Sequence, residues 1–486
     1  MDNSEPAPGA RTRRGFLGTL AGSLAAPLVV PSSALGRGGE KAPSDRITIG
    51  VVGAGTRGPY ESPYLVPLDE CEIVAVCDVK EDKRIALKDK LEGLYAERKG
   101  RGSYRGIRIY EDYRDLLRQK DIDAVYLAVP DHWHVPMTIE AQEAGKHCHT
   151  EKPLGVSIEM DLAARNAVRK HKRSFLYGSE RRSYKPARHA IELVLNGRIG
   201  KVKEIYVVAP PSRSGGSATP ELPVPKGWNY DLWLGPAPYA PFCADRARKG
   251  AIFEIRDYSL GMIANWAAHP LDQVQLWADH SGLDIPVKYE GTGKIAEGGL
   301  FNCAIEWNLN CTYENGLVMH FMDSRTWRTI SEAPNVPKPM LGPNRPLENV
   351  ALFVGTDGWV ASLYEKIITE PASLLTSEIG PNEIHLPKHP EHEDRIPPGL
   401  NVWDGPVAAH AIGWMEDLKA NRETVVGIES AVKSDLISQL SDICIRTGRP
   451  VRWDPKRETI IDDAEARKRM SVPMREPWGS LVRKYA

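Results

Sequence analysis

Between His147 and Gly155 the chain reads "HCHTEKPLG", which sets two imidazoles, a thiol, a carboxylate and an amine in six consecutive positions, His147 to Lys152. Two chemistries compete for this stretch. A metal site would use His147 and His149 with His132 and His134 of "DHWH". Two H-x-H pairs do not have the spacing of a structural zinc site, which prefers two to four intervening residues between paired ligands. On a strand, His147 and His149 share one side while Cys148 takes the other, and no third ligand is specified. No metal is therefore expected. The competing chemistry is redox, carried by Glu151, Lys152 and Pro153. A second polar group, Asn265, His269 and Asp272, has helical spacing that would point all three side chains into one cleft.

These residues need elements to position them. Ile47 to Val52 is a β-branched run that ends in Gly53-Ala-Gly55-Thr-Arg-Gly58, a G-x-G-x-x-G sequence directly after a strand. Gly53 permits the turn, Gly55 lets backbone approach a pyrophosphate, and Gly58 allows close packing on the sheet. Thr56 and Arg57 of the same loop join the cofactor contacts. Asp78 closes the second apolar run and is placed to accept hydrogen bonds from ribose hydroxyls; its charge repels a 2'-phosphate, favouring NAD over NADP. Arg57 would weaken that preference if it reached the ribose edge. Pro59 and Pro63 interrupt the helix expected after the loop. Further apolar runs at Ile73 to Val76 and Ala124 to Val129 alternate with helical stretches at Lys80 to Arg98 and Val135 to Ala144, the latter with Pro136 in its first turn. That alternation argues a doubly wound parallel sheet.

Beyond about residue 180 the pattern changes. "NCAIEWNLNCTYENGLVMHFMD" reads as a hairpin turning at Glu314-Asn315-Gly316, and "KVKEIYVVA" and "VALFVGTDGWVASLY" add strands. The expected fold is a Rossmann α/β domain over 41–178, followed by an α+β substrate and oligomerisation domain over 179–486. Its sheet should be large, mostly antiparallel and open on one face.

With 63 basic and 64 acidic residues and a net charge of -1, nucleic acid and anionic membrane surfaces are not expected partners. Residues 1–40 form a separate segment: Arg13 and Arg14 precede a modest apolar stretch, Phe16 to Val30, and small residues up to Ala34, the pattern of a twin-arginine export signal. The expectation is export to the periplasm by the twin-arginine machinery, with cleavage near Ala34; an uncleaved anchor is the alternative. The seven cysteines are scattered, with no disulfide framework. Cys303 and Cys311 lie too far apart along one strand to bond.

The glycine loop, "VPDHWHVPMTIEAQEAGKHCHTEKPLG", "RRSYKPARHAIELVLNGRIGKVKEI", "WNYDLWLGPAPYAPF", "NWAAHPLDQVQLW" and "FVGTDGWV" together resemble the glucose-fructose oxidoreductase/inositol dehydrogenase (Gfo/Idh/MocA) family, in its exported subgroup, from about Arg46 onward. The resemblance implies NAD(P)-dependent chemistry on sugars or cyclitols. It makes Glu151-Lys152-Pro153 the cofactor and catalysis signature, often with a cis peptide before the proline. Lys152 would then sit between nicotinamide and substrate, and Glu151 would contact the nicotinamide ribose. Oxidising a secondary alcohol needs a hydride acceptor and a base for the hydroxyl proton, and a lysine serves if burial and a neighbouring cation lower its pKa. The family commonly has Asp four residues before the catalytic His. Here the residue is Asn265, which cannot take a proton, so the acid-base load falls on His269 with Lys152. Asp272 would fix the His269 tautomer or bind a hydroxyl. Pro130 and His134 would line the nicotinamide pocket. Arg182, Tyr184, Trp228, Tyr230, Tyr258 and His410 are candidate sugar contacts.

Three functions follow. The first is an exported NAD(P)-dependent oxidoreductase acting on a sugar or polyol hydroxyl with a tightly held, recycled cofactor, assembled as a dimer or tetramer. The second is a glycosidase that uses NAD for transient oxidation, elimination and re-reduction, as α-N-acetylgalactosaminidases of the family do. The third is a catalytically inactive sugar-binding protein, for which Asn265 argues and Lys152 and His269 argue against.

Overall fold

The computed structural model describes residues 46–100, 102–330, 349–363, 366–387 and 404–486. The twin-arginine segment, Arg13 and Arg14 included, lies outside the described residues. Six parallel strands make the first sheet: β1 (Ile47–Val52), β2 (Cys71–Cys77), β3 (Arg108–Tyr110), β4 (Ala124–Leu127), β5 (His147–Thr150) and β6 (Phe175–Tyr177). Their spatial order is 3-2-1-4-5-6, the doubly wound arrangement, with its switch point between β1 and β4. Strand β4 is buried at every position, as a sheet covered on both faces requires.

The helix after β4 starts earlier than its sequence pattern suggests. It spans Asp131–Glu143, so Pro136 lies inside it rather than in its first turn. The ring at 136 removes only one backbone donor. The earlier start carries Asp131, His132 and His134 onto the first turns of the helix, at the C-terminal edge of the sheet. After the glycine loop, Pro59 and Pro63 leave one short helix, Arg57–Glu61, followed by a 3₁₀ turn, Ser62–Leu65.

The second sheet contains β7 (Val202–Ala209), β8 (Lys288–Ile295), β9 (Ala304–Thr312), β10 (Val318–Asp323), β11 (Val350–Gly355), β12 (Trp359–Ser362), β13 (Ile367–Glu370), β14 (Val451–Asp454) and β15 (Thr459–Ile461). They run 13-12-11-7-10-9-8-14-15, and every neighbouring pair is antiparallel except β7 with β10. The expected hairpin is β9–β10, with Gly316 at φ 85° in its turn. Only part of the sheet has an open face. Along β9, buried Trp307, Leu309 and Cys311 alternate with wetter Glu306, Asn308 and Asn310. Towards β11 the second face is closed by an apolar cluster of Tyr206, Val208, Met322, Trp327 and Leu352. All seven cysteines are buried free thiols. Among the described residues no helix is long and apolar enough to cross a membrane.

The two sheets are not joined at a single boundary. The helix Ile428–Thr447 packs on Ala268–His280, on β8 and on Ile158–His171, and the last helix, Trp478–Arg483, returns to Asp131–Glu143 and Ile158–His171. One buried junction fastens this return. Asp435 accepts from the Gly155 backbone N–H (3.2 Å) and the Tyr177 hydroxyl (3.3 Å), while Gln439 donates to Asp161 at 2.6 Å. Burial pushes both carboxyls up, and the hydrogen bond between them leaves Asp161 holding the proton.

A carboxyl whose pKa is raised on folding contributes stability that is present at low pH and lost as pH climbs through the folded value. Asp161→Asn supplies the donor without a titrating group. Its melting temperature relative to the parent protein is expected to be higher at pH 8 than at pH 5 by about 2 °C, measured by calorimetry. A difference that does not change with pH would refute the shared proton.

Candidate active site

The glycine loop and the redox stretch meet in one cavity of about 920 Å³. Gly53, Gly55, Thr56 and Arg57 line it after β1, Asp78 after β2, Pro130, Asp131 and His134 after β4, Glu151 and Lys152 after β5, and Glu180 after β6. These are the C-terminal ends of parallel strands flanking the switch point, where doubly wound sheets bind ligands. Gly53 is at φ +100°, and a Cβ there would come within 2.2 Å of the Ala128 carbonyl. A Cβ on Gly58 would meet the Gly53 carbonyl at 2.0 Å, whereas nothing lies within 4 Å of one on Gly55. The loop is thus tight against the sheet at its ends and open to the cavity at its centre, which fits a dinucleotide pyrophosphate. Asp78 accepts from the backbone N–H groups of Ala54 (2.6 Å) and Lys80 (2.8 Å). Burial pushes its carboxyl up and those two N–H groups oppose the shift.

Arg57 does not turn toward Asp78. Its guanidinium pairs with Glu61, with Glu151 at 3.4 Å and with Glu180 at 3.4 Å, so it is not the residue that would offset the charge of Asp78. Lys80 and Lys83 stand beside Asp78 on the cavity wall instead. The Tyr126 hydroxyl donates to Glu61 at 2.5 Å and approaches Glu151 at 3.2 Å. Burial lifts the Glu61 carboxyl well above the usual range against the opposing charge of Arg57, and the three carboxylates outweigh desolvation to keep Arg57 cationic.

Lys152 is joined to Pro153 by a cis peptide. Its amine donates to Asn265 twice, to the backbone carbonyl at 2.9 Å and to Oδ1 at 3.1 Å. Burial lowers its pKa, and the nearby Glu151 charge acts the other way. His134 holds the turn from behind: Nδ1 lies 2.6 Å from the Pro153 carbonyl and Nε2 lies 2.9 Å from that of Val129. His269 lines the same cavity, with Nδ1 3.7 Å from the Glu180 carboxylate. Burial drives its pKa down to about 3 although Glu180 opposes this, so the ring is neutral at physiological pH.

Other residues expected at the site are placed elsewhere. The helix carrying Asn265, His269 and Asp272 breaks between Met262–Asn265 and Ala268–His280. Asn265 and His269 reach the cavity; Asp272 turns away, pairing with Arg182 and accepting from Ser179 at 2.9 Å. Both Arg182 and Asp272 are buried, and a buried guanidinium requires a counter-charge, so the two are committed to each other rather than to a substrate. Trp228 lies under the Lys80 ammonium, 3.6 Å from ring centroid to nitrogen. The Tyr258 hydroxyl accepts from Arg246 at 3.0 Å, and that of Tyr230 donates to the Ala240 carbonyl at 3.0 Å. His410 bridges Ser183 (2.8 Å) and the Tyr177 carbonyl (3.0 Å), and Tyr184 precedes the helix Lys185–Leu195. None of these lines the cavity. Its far wall is instead built from Leu232, Trp233 and the segment Ala247 to Phe253.

The four histidines considered for a metal are dispersed. His147 accepts from the Ser174 N–H at 3.1 Å, His132 approaches the Trp233 carbonyl, and His149 is buried among Tyr126, His410 and Trp414. Among the described residues, Glu61, His149 and Glu151 bring ligand atoms within 4.8 Å of one another, but Arg57 already pairs with both carboxylates. Glu180, Asp131, Glu61 and Tyr126 went unnoticed in the sequence. A signal existed for two of them: Glu180 and Asp131 each follow a strand of the parallel sheet, where site residues gather.

A dinucleotide cradle at the switch point and an amine beside an imidazole define a Rossmann-type oxidoreductase site with a second domain closing over it. Residues 47–179 match the NAD-binding Rossmann fold of an oxidoreductase family, and residues 212–318 match that family's C-terminal alpha/beta domain. The chain belongs to the Gfo/Idh/MocA oxidoreductase family. It is 32% identical over 155 residues to the uncharacterized oxidoreductase YrbE of Bacillus subtilis, covering 32% of this chain and 42% of that one. It is 32% identical over 115 residues to an alpha-N-acetylgalactosaminidase of Shewanella oneidensis, covering 23% of this chain and 24% of that one. The match spans less than half the length of either relative. In fold the chain is similar to the scyllo-inositol dehydrogenase of Lactobacillus casei, solved with NAD(H) and scyllo-inositol: TM-score 0.53, 16% identity, 84% of this chain and 99% of that one. An oxidoreductase domain protein of Kribbella flavida gives a TM-score of 0.57 at 17% identity, over 83% and 98% of the two chains.

Removing the Arg57 charge leaves Glu61, Glu151 and Glu180 facing one another. Arg57→Met is expected to cost about 3 kcal/mol of stability at pH 8 and clearly less at pH 5, where the carboxyls take up protons. Urea denaturation at the two pH values measures this. An equal loss at both would show that Arg57 contributes packing and not charge.

Proposed function

We propose that this protein is an NAD-dependent oxidoreductase that oxidises a secondary hydroxyl of a sugar or sugar-like polyol. The observation that carries the proposal is the amine of Lys152, held by two hydrogen bonds to Asn265 in the cavity onto which the glycine loop opens. Gly53, Gly55, Thr56, Pro130 and Glu151 would hold the dinucleotide, and Asp78 its adenosine ribose. When bound, the cofactor supplies the hydride acceptor.

The residues of the chain handle the proton. A neutral lysine amine has two N–H donors and one lone pair. With both donors directed at the two oxygens of Asn265, the lone pair is left facing the cavity, oriented for the proton of a substrate hydroxyl. Burial favours that neutral form. Neutral His269 offers a second donor or acceptor to the same hydroxyl or its neighbour, while Glu180 orients the ring from behind. Positioning and base strength of this kind each contribute orders of magnitude to such reactions.

A second reading draws on the Shewanella relatives and on Asn265: a glycosidase in which oxidation is transient and the hydride returns to the sugar. Both readings predict bound NAD(H), and one assay separates them. The purified protein is tested for co-purifying dinucleotide, then followed at the absorbance of reduced nicotinamide with a panel of polyols, inositols and aryl glycosides. Stoichiometric reduction by a polyol supports the oxidoreductase. Glycoside cleavage without net reduction replaces it with the glycosidase, and failure to bind NAD or NADP excludes both. Lys152→Met is expected to lower kcat by about 1000-fold with dinucleotide binding retained, and Asp78→Ser to shift preference toward NADP.

Export by the twin-arginine route, suggested by Arg13 and Arg14, and assembly as a dimer or tetramer through the wet part of the β8–β9–β10 face belong to the same proposal. Cell fractionation is expected to place the protein in the periplasm, and Arg13→Lys with Arg14→Lys to retain it inside the cell. Light scattering should give a mass of two or four chains; a monomer would remove the sheet face from the proposal.

A further inference from the structure

The amine of Lys152 gives two hydrogen bonds to one residue, Asn265, through its backbone carbonyl at 2.9 Å and its Oδ1 at 3.1 Å. The aim of the amine is therefore set by whatever holds Asn265. That residue ends a helix of a single turn, Met262–Asn265, which is too short to persist on its own backbone bonds. The turn is held from its N-terminus, where the first N–H groups have no partner inside the helix. Two buried serines take them up: Ser259 Oγ accepts from the Gly261 N–H at 3.0 Å, and Ser212 Oγ from that of Met262 at 2.9 Å. Gly261 is at φ +90°, and a Cβ there would come within 2.5 Å of Ser212 Oγ, so the chain enters the turn by a path reserved for glycine. The Gly261 carbonyl then accepts from the Asn265 N–H at 2.9 Å and fixes the residue that receives the lysine.

The two serines differ in what stands behind them. Ser212 is bonded onward to β9, its N–H reaching the Ala304 carbonyl at 3.3 Å, and so ties the turn to the second sheet. The Ser259 hydroxyl instead donates to Asp131 at 2.6 Å, the first residue of the helix after β4, and the Tyr258 carbonyl beside it accepts from the His132 N–H at 3.1 Å. One turn along that helix, His134 Nδ1 lies 2.6 Å from the Pro153 carbonyl. The contacts close on themselves, running from Lys152 to Asn265, Gly261, Ser259 and Asp131, then along the helix to His134 and back to the residue after Lys152. A closed ring of this kind fixes the amine relative to its own backbone, because neither acceptor nor turn can shift without stretching a bond of the ring. It crosses between the domains twice, at Lys152 with Asn265 and at Ser259 with Asp131. At the second crossing one hydroxyl makes both bonds, so the loss of one oxygen opens the ring.

We propose that Ser259 is a positioning residue for the reaction: its hydroxyl, bonded at once to Gly261 and Asp131, holds the Asn265 oxygens where they aim the Lys152 amine into the cavity. Ser259 is 1% exposed and does not line the cavity, so it acts through the turn and not on the substrate. The inference rests on Lys152 being the base, and its first test needs no substrate.

In the full-length protein, the pH dependence of acetylation of Lys152 by acetic anhydride, read by mass spectrometry of the peptide that contains it, reports how firmly the Asn265 oxygens hold the amine, since acceptors favour the ammonium. Ser259→Ala is expected to lower the midpoint by about half a unit or more, as loosened acceptors leave burial less opposed. Asp131→Asn keeps an oxygen for the Ser259 hydroxyl and removes the acid, so its midpoint should stay within about 0.3 units of the parent. An equal fall in both variants would trace the effect to the Asp131 acid and overturn the proposal. So would an unchanged midpoint in folded Ser259→Ala, which would leave Ser259 a structural tie between the domains. If Ser259→Ala does not fold, Ser259→Cys, whose thiol is a weak donor and acceptor, takes its place with the same expected fall. With a substrate from the assay above, kcat of Ser259→Ala should drop by about 10- to 100-fold while KM and dinucleotide affinity stay within about threefold. A raised KM with kcat unchanged would overturn the proposal by making Ser259 a support for binding alone. A shifted midpoint without turnover of any polyol or glycoside would uphold the positioning and refute the oxidoreductase reading.

Discussion

Arg57 among Glu61, Glu151 and Glu180 is the interaction on which the rest of the site depends. The guanidinium sits in the cofactor loop, and its three partners come from the short helix after it, from the end of β5 and from the turn after β6. One charge thereby sets the positions of the pyrophosphate turn, the Glu151-Lys152-Pro153 turn and the carboxylate behind His269. Buried ion pairs are seldom strong sources of net stability, because desolvation cancels much of the attraction. Their effect here is on geometry. Three carboxylates gathered around one cation have few alternative arrangements, and the surplus negative charge is relieved at Glu61, where burial raises the carboxyl despite the charge of Arg57 and the hydrogen bond from Tyr126.

A second constraint acts from the other side of Lys152. His134 places both ring nitrogens against carbonyls of the two strand ends it spans, and Asn265 offers two oxygens to the amine. The lysine is gripped by acceptors, and the carboxylates nearest to it are gripped by Arg57. Burial and charge then pull its pKa in opposite directions. A proton carrier needs this balance: burial alone would leave a permanently neutral amine, and an adjacent free carboxylate would leave a permanent ammonium.

Much of this was legible in the chain. The strand-glycine-Asp78 spacing locates the cofactor end because backbone approach tolerates few substitutes at Gly53, and the short-range pattern of β9–β10 announces its own turn. Asp272 turns away although it shares an unbroken helix with His269, because the buried guanidinium of Arg182 claims it, a partner that helical spacing does not reveal. Arg182 and Tyr258 read as sugar contacts in the sequence because residue type says nothing about which buried partner will claim a polar group. Asp131 and Glu180 were missed for the converse reason. Asp131 accepts from Ser259 and Glu180 stands 3.7 Å from His269, partners far along the chain, and no local pattern carries either pairing. The partly covered face of the second sheet has the same origin, since Trp327 closes it from a helix outside any strand.

The return of the chain onto its first sheet bears on the order of synthesis. Trp133, on the cavity wall, packs edge-on against Trp478 at 5.1 Å, donates its indole N–H to the Trp233 carbonyl, and leaves no room for a side chain at Gly235. Those three supports leave the ribosome about 100 and about 345 residues after the tryptophan they brace. A nascent chain can form the glycine loop and the parallel sheet early, yet Trp133 is braced on the cavity wall only once those later segments have been made. The wall at Trp133 is then a joint product of segments distant in the chain, and the glycine loop with its parallel sheet does not build it alone.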